Sequence, residues 1–144
     1  TDMVGPYGYC ADISRTFVVG NKFSDEQKKL YKMALEQINH NSRLIKDGLS
    51  FEEFTKKSWN LPKEYYPNRY SVMVHGIGLC DEWPAIRYPT DGGERSGVFQ
   101  KNMTITVESY IGKVGGKEGV KLEQQYLIGE NGLELMSHHP LEEI

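Results

Sequence analysis

Two glutamates sit inside the most strand-like stretches of this chain. Residues 104–112 read TITVESYIG and residues 119–128 read GVKLEQQYLI, with Glu108 and Glu123 near the middle of each. β-Branched and aromatic residues favour extended backbone. An acidic group among apolar neighbours is costly unless a partner neutralises it. Any fold for this chain must therefore carry both carboxylates on strands and give each of them a compensating charge.

The other segments supply the remaining layers. Gly8 to Val19 reads as a strand in which Asp12, Ser14 and Thr16 share one face. Ser24 with Gln27 resembles a capping box. It opens a helix whose buried stripe is Leu30, Tyr31, Ala34, Leu35, Ile38 and Ile45, with Gly48 as a stop. Ser50 with Glu53 caps a second, shorter helix running through Phe54 towards Trp59. Leu61 to Asn68 is a loop, and Tyr70 to Val74 is a short strand leading into His75. Asp81 to Gly97 is a long loop of the kind that is more often functional than idle. Gly119 to Ile128 and Leu133 to Met136 are joined by a hairpin at Glu130-Asn131-Gly132. A strand, two helices and then several strands predict an α+β fold, with helices covering one face of a curved, mainly antiparallel sheet.

In chain order, Asp2, Asp12, His75, Glu108 and Glu123 form a set of four carboxylates and one imidazole, most of them on or beside strands. Such donors suit Mn, Fe, Co or Zn, and a carboxylate can bridge two ions. Two ions about 3.5–4 Å apart polarise a substrate oxygen and generate hydroxide at neutral pH. For any single Asp or Glu a solvated surface charge is the commoner role, so the argument rests on the apolar settings of Glu108 and Glu123. Bulk composition excludes other classes. A chain of 144 residues is one domain's worth, or half of a larger one, and its hydrophobic fraction of 38% suffices for a core. Seventeen basic against 20 acidic residues, a net charge of −3, leave no basic field for nucleic acid. No apolar run approaches about 18 residues, so no membrane span is expected. Cys10 and Cys80 are too few for a disulfide scaffold and lack zinc spacing. They are expected as small buried hydrophobes in a reducing cytoplasm.

The phrases GYCADISRTF, HGIGL, TVE and GVKLEQQYLIGENG, in this order, resemble the C-terminal half of the pita-bread superfamily of prolidases, aminopeptidases P, methionine aminopeptidases and creatinase. The resemblance covers nearly the whole chain. It implies that Asp12, His75, Glu108 and Glu123 are metal ligands. It places the family's first aspartate at or just before Thr1, and it implies that the N-terminal part of the catalytic domain is absent from these 144 residues. On that reading the residues present are inactive alone, and the full-length protein is a homodimer.

The departures from the pattern are informative. Prolidases usually carry a second histidine after the HGxG segment, in a phrase like DVHE-x-P, where this chain has Cys80-Asp81-Glu82-Trp83-Pro84. The usual TVEPG is here Thr106-Val107-Glu108-Ser109-Tyr110, and the usual Arg-Ile-Glu-Asp is Lys121-Leu122-Glu123-Gln124. These changes resemble the branch of the superfamily that cleaves dimethylsulfoniopropionate. That branch pairs an aspartate at the Asp2 position with that of Asp12, has a catalytic aspartate six residues after the metal histidine (Asp81), and has a tyrosine five before it (Tyr70). The resemblance implies two metal ions, iron in that branch, and β-elimination to dimethyl sulfide and acrylate, with Asp81 as base. Tyr70 and Trp83 would offer aromatic faces to the sulfonium of a zwitterionic small molecule. Tyr65, Tyr66 and Tyr88 are expected to pack in the ordinary way, and His40, His138 and His139 to lie on the surface. The alternatives are a hydrolase of the same fold, acting on a dipeptide, an Xaa-Pro peptide or a cyclic amide such as ectoine, and a non-catalytic binding domain.

Overall fold

The computed structural model describes residues 2–20, 22–93 and 96–141. The expected aspartate at or just before Thr1 lies outside them. Strands β1 (Asp2–Val4) and β2 (Cys10–Asp12) form an antiparallel pair that sets Asp2 opposite Asp12. Helices α1 (Asp25–Leu44) and α2 (Phe51–Lys57) follow. Then come β3 (Val72–Gly76), β4 (Ala85–Arg87), β5 (Thr104–Gly112), β6 (Gly119–Gly129) and β7 (Gly132–Leu135). These last five make one antiparallel sheet in the order β4-β3-β5-β6-β7. The α+β expectation is met.

Both helix starts form as the sequence requires. Ser24 Oγ accepts from the Gln27 backbone while the Gln27 side chain returns to the Ser24 backbone, and Ser50 Oγ accepts from the Glu53 backbone. Each cap satisfies N–H groups that have no partner within the helix. α1 lays Leu30, Tyr31, Ala34 and Ile38 across β5 and β6. The facing side chains include Ile105, Val107, Ile111, Val120 and Leu122, all buried. Phe51 and Phe54 of α2 close the core edge-on to Phe99, at ring separations of 4.9 and 5.6 Å. Tyr65 and Tyr88 are buried in this core as expected, and His40, His138 and His139 are exposed.

Three expectations change. The strand read from Gly8 to Val19 is only Cys10–Asp12, plus a single bridge from Ser14 to Glu123. Beyond Ser14 the Thr16 hydroxyl takes over from the backbone, accepting from the Lys121 N–H and donating to the Lys121 carbonyl. The long loop after Asp81 contains β4, held against β3 by Gly76 N–H donating to Pro84 O at 2.9 Å. The cysteines are not buried: Cys10 is half-buried and Cys80 exposed. Among the described residues, no helix is long and apolar enough to cross a membrane.

Candidate metal centre

Strand period 2 decides which side chains meet. On β5 and β6, Glu108 pairs directly with Glu123, and both turn away from α1. His75 on β3 pairs with Thr106, which shares the Glu108 face. Asp12 arrives from β2, fixed by its N–H donating to Gln125 Oε1 at 3.3 Å and by the Ser14–Glu123 bridge beside it. The sheet thus gathers residues far apart in sequence around one imidazole nitrogen. His75 Nε2 lies 3.3 Å from Glu123 Oε1, 3.7 Å from Asp12 Oδ2 and 3.8 Å from Glu108 Oε1. All four residues are buried, His75 to 1% exposure.

The pairing of the remaining atoms shows what the cluster is arranged to hold. His75 Nδ1 lies 2.9 Å from the Gly76 carbonyl. That carbonyl accepts a hydrogen bond from Nδ1–H, which leaves Nε2 of the neutral ring with its lone pair towards the carboxylates. Glu123 Oε2 accepts from Ser14 Oγ at 2.9 Å, and Glu108 Oε2 is bonded by Lys121 Nζ. The other oxygens, Glu108 Oε1 and Glu123 Oε1, are buried without a hydrogen-bond partner. Buried polar atoms are rarely left so, and an unmet need for an ion is one reason for it. The orphaned oxygens, Asp12 Oδ2 and His75 Nε2 therefore fit a divalent metal by donor type, burial and unmet bonding.

Proton affinities express the same crowding. Burial, then the hydrogen bond from Asp2 and the Glu123 charge, push Asp12 up to about 7. Burial opposes charge on His75, but the Glu123 carboxylate facing it and the Gly76 carbonyl raise it overall. Burial likewise opposes Glu123, yet His75, Lys121 and Ser14 bring it down to about 2. A raised Asp12 carboxyl and a raised His75 imidazole are both marks of carboxylates crowded at a site short of positive charge.

Asp2, Asp12, Glu108 and Glu123 line a cavity of about 400 Å³, together with Tyr70, Lys121 and Glu82. Tyr70 donates to Glu82 Oε1 at 3.3 Å, and Lys121 Nζ lies 4.2 Å from its ring centroid. A slightly larger cavity of about 490 Å³ lies between residues 15–19 and the start of α1, but it contains none of the ligand set, so size does not mark the site. The structure brings Asp2, Asp12, Tyr70, His75, Glu108 and Glu123 together. Asp81 and Trp83 are exposed and do not line the cavity. The acidic residue that their loop presents there is Glu82, whose φ of 57° is uncommon outside glycine. Sequence reasoning missed Lys121 and Glu82. Lys121 was accessible, because two residues before Glu123 means the same strand face. Glu82, in an irregular loop, has no periodicity to reveal it. The glycine after His75 is explained by contact, since a Cβ on Gly76 would lie 2.0 Å from the Trp83 carbonyl oxygen.

Known proteins resemble this chain in sequence and fold. The chain is 36% and 35% identical to the dimethylsulfoniopropionate lyases DddP of Roseovarius nubinhibens and Roseobacter denitrificans, over 99% of its own length and 32% of theirs. It superposes on the prolidase of Pyrococcus horikoshii with a TM-score of 0.78 and 30% identity, over 94% of this chain and 38% of that one. It thus spans about a third of the length of such relatives. The model of metallopeptidase family M24 matches residues 1–130; together with the buried carboxylate–imidazole cluster, that match makes this chain a member of the M24 family, the pita-bread metalloenzymes.

Proposed function

We propose that this chain carries the metal centre of a dinuclear-metal lyase that cleaves dimethylsulfoniopropionate to dimethyl sulfide and acrylate. The observation that carries the reading is the 36% identity to lyases of that name over 99% of the chain, against 30% to a prolidase. It is supported by Asp81 at the position where peptidases of the fold place histidine. Asp2, Asp12, His75, Glu108 and Glu123 would hold two divalent ions, iron by likeness to that branch, with Mn, Co or Zn able to serve. Bound there, the ions would draw electrons from the substrate carboxylate and acidify the adjacent C–H.

The protein's own groups do the rest. A carboxylate takes the α-proton, the C–H electron pair becomes the double bond of acrylate, and the C–S pair leaves with neutral dimethyl sulfide. Asp81 is the base implied by likeness, whereas Glu82 is the carboxylate that the same loop presents to the cavity, hydrogen-bonded by Tyr70. Tyr70 lines the same cavity beside Glu82, and Trp83 would add a second aromatic face only if its loop turned inward.

The second reading, a hydrolase acting on a dipeptide or a small cyclic amide, is favoured by the fold shared with prolidase. Incubating the full-length protein with dimethylsulfoniopropionate and with an Xaa-Pro dipeptide separates the two. Dimethyl sulfide without proline release is expected, and the reverse would sink the lyase reading. Under that assay Asp81→Asn and Glu82→Gln identify the base, whose loss is expected to cost about 10²–10⁴-fold in kcat.

A further inference from the structure

The candidate metal ligands are divided between two sheets. Asp2 and Asp12 stand on the β1–β2 pair, whereas His75, Glu108 and Glu123 stand on the five-stranded sheet. The distance between the two halves of the set therefore depends on what joins the sheets. Beside the ligands the backbone contributes an isolated bridge, in which Glu123 N–H donates to Ser14 O at 3.1 Å. Arg15 completes the joint. Its Nη1 donates to Ser14 O at 2.8 Å and to Glu123 O at 2.6 Å, so one nitrogen holds a carbonyl on each side of the bridge. Its Nη2 bonds Gln124 Oε1 and the His139 carbonyl, and its Nε donates to Pro140 O at 3.0 Å. A guanidinium carries five N–H donors in a rigid fork, and these acceptors match all of them. The C-terminal segment is fastened to the same point, since Ser137 Oγ donates to Gln124 Oε1 at 2.7 Å.

We propose that Arg15 is a positioning residue for the metal centre. Its fork fixes the small sheet against the large one, and so holds Asp12 at the spacing from His75 and Glu123 that an ion requires. Arg15 does not line the cavity, and it acts through the main chain of Ser14 and Glu123. The inference rests on the metal reading of the cluster, whichever reaction the metal serves. Ligand spacing is a sensitive quantity, because a supporting shell that is loose by about 1 Å leaves a site present but weak. Lysine keeps the charge but cannot replace the fork. Its three donors radiate from one nitrogen on a flexible stem, and cannot reach acceptors on β6, the Ser14 turn and the C-terminal segment together.

The test is a calorimetric titration of chelator-stripped full-length protein with Mn(II), beside Arg15→Lys, Arg15→Ala and Leu122→Ala. The last variant weakens the core without touching the joint. Melting curves of the metal-free proteins fix a temperature at which every variant compared is folded. There, Arg15→Lys and Arg15→Ala are expected to bind Mn(II) about 10–100-fold more weakly than the wild type. Leu122→Ala should stay within about threefold of the wild type, even where it melts lower than Arg15→Lys. Loading with Co(II) adds a spectroscopic readout. The visible bands of Arg15→Lys should differ from the wild type as the ligands shift, and those of Leu122→Ala should not. Should Arg15→Ala fail to fold, the contrast between Arg15→Lys and Leu122→Ala decides. Wild-type affinity and Co(II) bands in Arg15→Lys, or a loss of affinity no larger than in Leu122→Ala, would overturn the role given to Arg15. Binding of no ion by the wild type would instead remove the metal reading, and the proposal with it.

Discussion

The two faces of β5 and β6 are built from the same residues in alternation, yet they follow opposite rules. Towards α1, Val107, Ile111, Val120 and Leu122 are buried against Leu30, Ala34 and Ile38, and the buried Ser109 hydroxyl on that side is paired with Gln37 Oε1 at 2.6 Å. Away from α1, Glu108 and Glu123 are equally buried, and each leaves an oxygen without a partner. One face is stabilising as it stands. The other is complete only when a cation joins it, so its residues serve binding at a cost to the stability of the metal-free fold.

Leu122 and Glu123, or Leu122 and Asp12, are therefore expected to respond in opposite ways. The largest effect belongs to Asp12→Asn, which mimics the protonated acid already favoured at this site. It should lower the activity of the metal-loaded protein by a thousandfold or more, on the order of losing a metal ligand. Yet the melting temperature of the metal-free protein should be unchanged or higher at neutral pH and above. A drop in both would erase the contrast between the faces. Leu122→Ala should behave conversely, costing about 2–5 kcal/mol in denaturant unfolding, with metal affinity retained by the molecules that remain folded. Ser109→Ala tests whether the helix face depends on its polar pairing as well. It strands Gln37 Oε1 and should cost about 1–3 kcal/mol, again without touching metal stoichiometry.

The smallest effect is a pH trend. A carboxyl raised in the fold, as Asp12 is to about 7, stabilises below its ordinary range, and that contribution is lost as pH rises through the raised value. The raised His75 acts with the same sign. Glu123, held near 2, loses its contribution only in strong acid. The metal-free protein should therefore melt at progressively lower temperature between about pH 5 and about pH 8, and Asp12→Asn should flatten the slope. A slope unchanged in that variant would place the titrating group elsewhere.

What could be read from sequence followed periodicity. The capping pairs Ser24–Gln27 and Ser50–Glu53, the α1 stripe and the strands bearing Glu108 and Glu123 are local signals, and each appears where expected. The metal set was legible because acids in apolar strands need a reason. The loop from Leu79 to Pro84 was not, because nothing local fixes which way Asp81, Glu82 and Trp83 point. Their placement depends on the close approach of the Trp83 carbonyl to Gly76, a contact between segments. The three-residue strands β1 and β4 were missed for the same reason. They exist through their partners rather than through their own composition.

The most direct test of the central claim is an anomalous difference map from crystals of the protein soaked in Zn(II). The account predicts a peak about 2.0–2.2 Å from His75 Nε2 and from the oxygens of Asp12, Glu108 and Glu123 that face it. Density elsewhere, or none between those atoms while the orphaned oxygens stay buried, would contradict it.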